Sequence, residues 1–125
     1  MIISILLIYV FIGILHFGNF EFLNNNSEFS NDSVLNAKHI LVEDSETARE
    51  IINVIDLNGT GVFCDLVKKH SLDFATSDRC GSIGDFEYDD METKFSDAVL
   101  ELEPEEYTVK PVKTSYGYHI ILRVK

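Results

Sequence analysis

The chain's last sixteen residues, Lys110–Lys125 (KPVKTSYGYHIILRVK), hold the side chain best placed to do chemistry. Tyr118, Ile120, Leu122 and Val124 alternate there with His119, Ile121, Arg123 and Lys125, the period-2 pattern of a strand. Ile121 is the only apolar member of the second set, so one face reads as core-directed and the other presents His119. Gly117 and Pro111 supply turn punctuation ahead of the strand. An imidazole so placed could act as a base, hold a metal ion, or form a hydrogen-bonded polar pair in the core. His39, Asp73 and His119 have metal-ligand side chains but no ligand spacing signature, so no metal and no other cofactor is expected. The two cysteines make no disulfide framework. Cys64 lies in the apolar helical stretch Val62–Val67 and Cys80 in a Gly/Ser/Asp loop. One thiol should point inward and the other outward, so neither a bridge nor thiol catalysis is expected.

The elements that must position these residues fit one domain. The chain has 125 residues, is 46% hydrophobic and contains nine Phe, enough for one packed core and too little for two. All ten basic residues and eighteen of the 21 acidic ones lie from Ala37 onward, so the acidity belongs to the folded part. Nucleic acid is excluded as a partner, because phosphate contacts need clustered Lys and Arg.

Residues 1–20 are almost unbroken apolar sequence, long enough to span a bilayer as a helix. No basic residue precedes Lys38, so the positive leader of a typical signal peptide is missing. The segment reads either as a membrane-engaging signal-anchor helix or as a cleaved signal peptide. Both send the rest of the chain to a secretory lumen or the cell exterior, anchored by residues 1–20 in the first case. Residues 21–36 read as a polar linker rich in Asn and Ser. Glycosylation triplets occur at Asn25, Asn31 and Asn58.

From Ala37 the pattern predicts a strand over 37–42 and a helix capped by Ser45 that stops at Asn58-Gly59, with Ala48, Ile51, Ile52 and Ile55 inward. A second helix is expected over 61–70, a loop over 71–81, and an edge strand over 82–86. A third helix over 92–100 and strands over 107–109 and 117–125 complete an α+β order, a small antiparallel sheet covered by helices.

In order along the chain, AKHILV, FCDLVKKHSLD, GSIGDF, METKFSDAVLELEPEEY and PVKTSYGYHIILRV resemble the parvulin family of peptidyl-prolyl cis/trans isomerases (rotamases), over residues 37–125. The resemblance implies a four-stranded antiparallel sheet surrounded by helices, acting on proline-containing polypeptides with a site at the sheet centre and assisting the folding of exported proteins. His39 and His119 match the family's two histidines, and Thr114 the hydroxyl that steadies them. Asp73 falls on the position that holds Asp or Cys. Ile83, Met91 and Phe95 match the apolar residues that hold the proline ring, and Tyr116 stands where Phe is more usual. Ser82 replaces the Asp of the usual Gly-Gly-Asp-Leu-Gly run. The loop Glu43-Asp44-Ser45 lacks the basic cluster of phosphate-directed members. The implied site comprises His39, Asp73, Thr114 and His119 as the chemical set and Ile83, Met91, Phe95 and Tyr116 as the substrate-binding set, in a monomeric domain. His119 is expected to organise this site rather than to move a proton. The altered turn and Tyr116 also leave open a non-catalytic peptide-binding or chaperone module on the same fold.

Overall fold

In the computed structural model, which describes residues 34–125, four strands form one antiparallel sheet. Strand β1 (Leu35–Val42) and β4 (Gly117–Arg123) are central, while β2 (Ser82–Phe86) and β3 (Val112–Thr114) are the edges, in the order β2-β1-β4-β3. The expected four-stranded α+β architecture is the observed one. The candidate signal or anchor segment and all but the last residues of the linker lie outside the described residues. Among the described residues, no helix is long and apolar enough to cross a membrane.

Helices cover both faces of the sheet. Helix α1 (Ser45–Asn58) turns Ala48, Ile51, Ile52 and Ile55 inward at the 3,4 spacing that places side chains on one helical face. A 3-10 turn (Thr60–Val62) leads into α2 (Phe63–His70), which buries Phe63, Leu66 and Val67. These side chains meet Ile40, Val42, Ile120 and Leu122 of β1 and β4. The opposite face carries a second core of Leu35, Ala37, Phe86 and Ile121 against Phe95 and Val99 of α4 (Thr93–Glu101). Both faces of β4 are therefore covered, and Ile121 is fully buried. His39 and His119 lie on this second face.

Local differences from the sequence reading have local causes. β1 begins at Leu35 rather than Ala37, because Leu35 pairs with Phe86 and is buried, so residues 35 and 36 belong to the sheet and not to the expected linker. Asp44, not Ser45, caps α1: its carboxylate accepts the Thr47 backbone N–H at 2.8 Å. The segment 71–81 contains a four-residue helix, α3 (Phe74–Ser77). The third strand is Val112–Thr114, and 107–109 contributes only an isolated bridge between Tyr107 and Leu122. The Thr108 hydroxyl accepts the Ile121 N–H at 3.0 Å, taking a place that a strand carbonyl would fill. Finally, Cys64 and Cys80 are joined by a disulfide, with Cα atoms 4.5 Å apart. The expectation of divergent thiols fails because the chain after α3 doubles back onto α2.

Candidate functional site

The register of the central strands sets the two histidines side by side. His39 stands opposite Ile121, and His119 opposite Leu41. Paired residues in an antiparallel ladder share a face, so His39 and His119 are diagonal neighbours on the α4 side. Their Nδ1 atoms are 3.0 Å apart, with nearly parallel rings (17°) and centroids 5.2 Å apart. Those values describe rings set edge to edge through a hydrogen bond rather than stacked face to face.

Each remaining imidazole nitrogen has its own partner. Thr114 is diagonal to His119 across the β3–β4 pair, and its Oγ1 lies 2.6 Å from His119 Nε2. His39 Nε2 lies 2.6 Å from Asp73 Oδ2, which also accepts the Thr76 hydroxyl at 2.8 Å. The Tyr116 backbone N–H donates to Thr114 Oγ1 at 3.2 Å.

The protonation pattern follows from these contacts. Burial pushes the Asp73 carboxyl up, but the hydrogen bonds from His39 and Thr76 outweigh it and hold the group below its ordinary value. Burial, followed by the neighbouring His39, lowers His119 to about 4, although Glu92 and Asp73 pull the other way. When Asp73 is ionised and each ring carries a single N–H, the donors and acceptors can be matched in one direction. Tyr116 N–H donates to Thr114, whose hydroxyl donates to His119 Nε2; His119 Nδ1–H then donates to His39 Nδ1, and His39 Nε2–H to Asp73. His119 thus has its lone pair committed to Thr114 and its proton to His39. In that tautomer His119 keeps no free lone pair for a substrate proton.

Phe95 closes the floor, edge-on to both rings at 5.8 Å from His39 and 5.2 Å from His119. Above lies a cleft of about 320 Å³. Ile83 from β2, Met91 before α4 and Phe95 give it an apolar wall; Asp73, Thr114 and the two histidines give it a polar one. Tyr116 stands at the mouth, 76% exposed. All eight residues singled out in the sequence line this one cleft.

Leu41, Thr76 and Glu92 line it as well and were not among those eight. For Thr76 the signal was present, since a hydroxyl residue three positions after an Asp is a common local hydrogen-bonding pair. The bond that holds Glu92 had no local signal, because its partner is 23 positions away. The Glu92 carboxylate accepts the Ser115 hydroxyl at 2.8 Å and the Ser115 backbone N–H at 3.1 Å, and these bonds lower its pKa. Among the described residues, no group of three His, Cys, Asp or Glu side chains is arranged to hold a metal ion.

Comparison with known proteins follows the same outline. The rotamase family model, described as the PPIC-type PPIase domain, matches residues 39–125. The foldase protein PrsA of Caldanaerobacter subterraneus subsp. tengcongensis is 43% identical over 88 residues, covering 70% of this chain and 28% of that protein. This chain spans under a third of the length of the first curated relatives it matches. A solved structure from a study of two SurA-like chaperones of Campylobacter jejuni, PEB4 and a periplasmic protein, matches with a TM-score of 0.68 at 36% identity. It covers 74% of this chain and 38% of the other. The parvulin NmPin of Nitrosopumilus maritimus matches with a TM-score of 0.64 at 30% identity, over 75% of this chain and 98% of its own. On the extent of the family match and the likeness to an almost complete parvulin, the chain belongs to the parvulin-type rotamase family, the PPIC-type PPIase domains.

Proposed function

We propose that residues 37–125 form a peptidyl-prolyl cis/trans isomerase domain that accelerates X–Pro isomerisation without covalent chemistry, during the folding of exported proteins. The observation that carries this reading is the cleft that sets a dry wall of Ile83, Met91 and Phe95 beside the hydrogen-bonded His39–His119 pair. Peptide-bond rotation costs about 18–20 kcal/mol because the amide must lose its resonance, and that cost is eased somewhat in the tertiary X–Pro amide. The planar amide carries more negative charge on its oxygen than the twisted one. A site that strips water from the prolyl ring while an ionised carboxylate faces the carbonyl therefore penalises the planar form more. In this scheme Asp73 supplies the carboxylate, Thr114 and the two histidines hold it and one side of the bond in place, and Tyr116 contacts the residues flanking proline.

The same reading extends to location. Residues 1–20 serve as a cleaved signal or membrane anchor and residues 21–36 as a tether, placing a monomeric domain in a secretory lumen or outside the cell. The Cys64–Cys80 disulfide supports an oxidising compartment, and relatives named foldase and periplasmic chaperone support export. Carbonate extraction of the full chain tests the anchor: soluble recovery at reduced mass means cleavage.

Exchange NMR on short X–Pro peptides tests the activity. Acceleration should be lost in His119→Ala and Met91→Ala, and a folded protein that accelerates no peptide would end this reading. A second reading, a non-catalytic chaperone on the same fold, is favoured by the exposed Leu72, Phe74 and Tyr116. It expects aggregation suppression that survives both substitutions; loss of both activities together would count against it.

A further inference from the structure

Asp73 reaches His39 because the segment between α2 and β2 folds back along β1. The Cys64–Cys80 disulfide closes that segment into a covalent ring across a sequence separation of 16. The ring contains Ser71, Asp73 and Thr76. Two backbone hydrogen bonds tie this region to β1 around the histidine: Leu72 N–H to Leu41 O at 2.8 Å, and His39 N–H to Gly81 O at 2.9 Å.

The backbone at the second tie is strained. Cys80 has φ 56° and Gly81 has φ 78°, two successive residues in the left-handed region. Gly81 is suited to that region, and its closeness is required: a Cβ there would lie 2.3 Å from the His39 carbonyl oxygen. Cys80 carries a side chain, so it remains in that conformation only because its surroundings hold it there. The bond to Cys64, on a helix packed into the core, is such a restraint. Neither cysteine lines the cleft. The disulfide's direct covalent route to the site is the loop that carries Asp73.

We propose that the Cys64–Cys80 disulfide is a positioning pair for the cleft, holding the loop so that Asp73 stays on His39 Nε2. Opening it detunes the Asp73–His39–His119 chain while the sheet remains folded. Where the consequence is read as activity, this rests on the isomerase reading above.

The test compares oxidised protein, protein reduced in situ, Cys64→Ser/Cys80→Ser, Asp73→Asn and the triple variant, each confirmed folded by near-ultraviolet circular dichroism. Dithiothreitol supplies two electrons and two protons, giving two cysteine thiols and its own cyclic disulfide. Two readouts are taken: the rate of X–Pro exchange and the NMR shifts of the His39 and His119 imidazoles. Reduced protein and the double variant should lose about tenfold to a hundredfold in rate, the scale of a misplaced site group. Their imidazole shifts should move toward those of Asp73→Asn, and the triple variant should be no slower than Asp73→Asn. A cross-link that only stabilises the fold would combine additively with Asp73→Asn. Multiplied losses, or unchanged shifts on reduction, would overturn the proposal. If the double variant does not fold, reduction in situ followed by reoxidation carries the same comparison. If oxidised protein accelerates no peptide, the isomerase reading fails while the imidazole shifts still decide the positioning role.

Discussion

His119 is 4% exposed and takes up its proton only near pH 4 in the folded chain, against an ordinary value of 6.5 once the chain is unfolded. The folded pKa is depressed, so between those values the unfolded state binds more protons. Stability from this group is complete above about pH 6.5, falls as the pH drops toward 4, and changes little below that. The span corresponds to something on the order of 3 kcal/mol, since each pKa unit is worth about 1.4 kcal/mol. Asp73 adds a loss of the same sign at lower pH, beginning near 3.8 and continuing as its lowered folded pKa is crossed. The groups that set His119's charge state are His39, Asp73 and Glu92. Urea titrations at pH 7.5 and 4.5 should therefore show a fall in stability for the wild type and a smaller one for His119→Gln. An undiminished fall in the variant would assign the pH dependence to another group.

At the scale of elements, local pattern was enough for the core-facing helices and failed where the answer depended on a distant partner. The 3,4 spacing of Ala48, Ile51, Ile52 and Ile55 and the Asn58-Gly59 stop describe α1 as observed. The edge strand over 82–86 is also as read. The third strand moved to Val112–Thr114 because the Thr108 side chain intercepts β4's Ile121 N–H, a contact invisible in a propensity pattern. The disulfide was missed for a similar reason: the direction of Cys80 is set by the return of its loop onto α2. The site was legible through the family's ordered motifs, since spacing alone could not pair His39 with a residue 80 positions away. Its dependence on the β3–β4 turn makes a prediction. Gly117 has φ 141°, and a Cβ there would lie 2.6 Å from the Val42 carbonyl oxygen, so the turn holding Thr114 against His119 requires glycine. Gly117→Ala should cost about 2 kcal/mol or more, by forcing backbone apart at a left-handed position. Gly61→Ala, in open space, should change stability far less. Thermal or urea denaturation of the two variants distinguishes them, and equal costs would remove the steric argument.

For the whole molecule, the charge of −11 is concentrated in the folded part and has a local counterpart in the cleft. Asp73 and Glu92 line it, both with pKa values held low by hydrogen bonds, and none of its lining residues is Lys or Arg. On the proposed isomerase reading, a substrate carboxylate approaching the apolar wall of Ile83, Met91 and Phe95 meets these two negative charges with no Lys or Arg in the cleft to offset them. In a cleft open to solvent this repulsion is partly screened and should lower kcat/KM modestly. Peptides with Glu before proline should therefore be turned over more slowly than those with Leu, and those with Lys at least as fast as Leu. Added salt should narrow the spread, because the charges at the cleft mouth are open to screening. Glu92→Gln should narrow the Lys-to-Glu ratio at low salt by removing one of the two charges, whatever it does to the absolute rates through its bonds to Ser115. Ser115→Ala separates those effects: it removes the hydroxyl bond while keeping the backbone N–H bond and the carboxylate, so the ratio should survive in it. Equal rates for Glu and Lys peptides at low salt would mean that the bond being isomerised sits too far from both carboxylates for this field to matter.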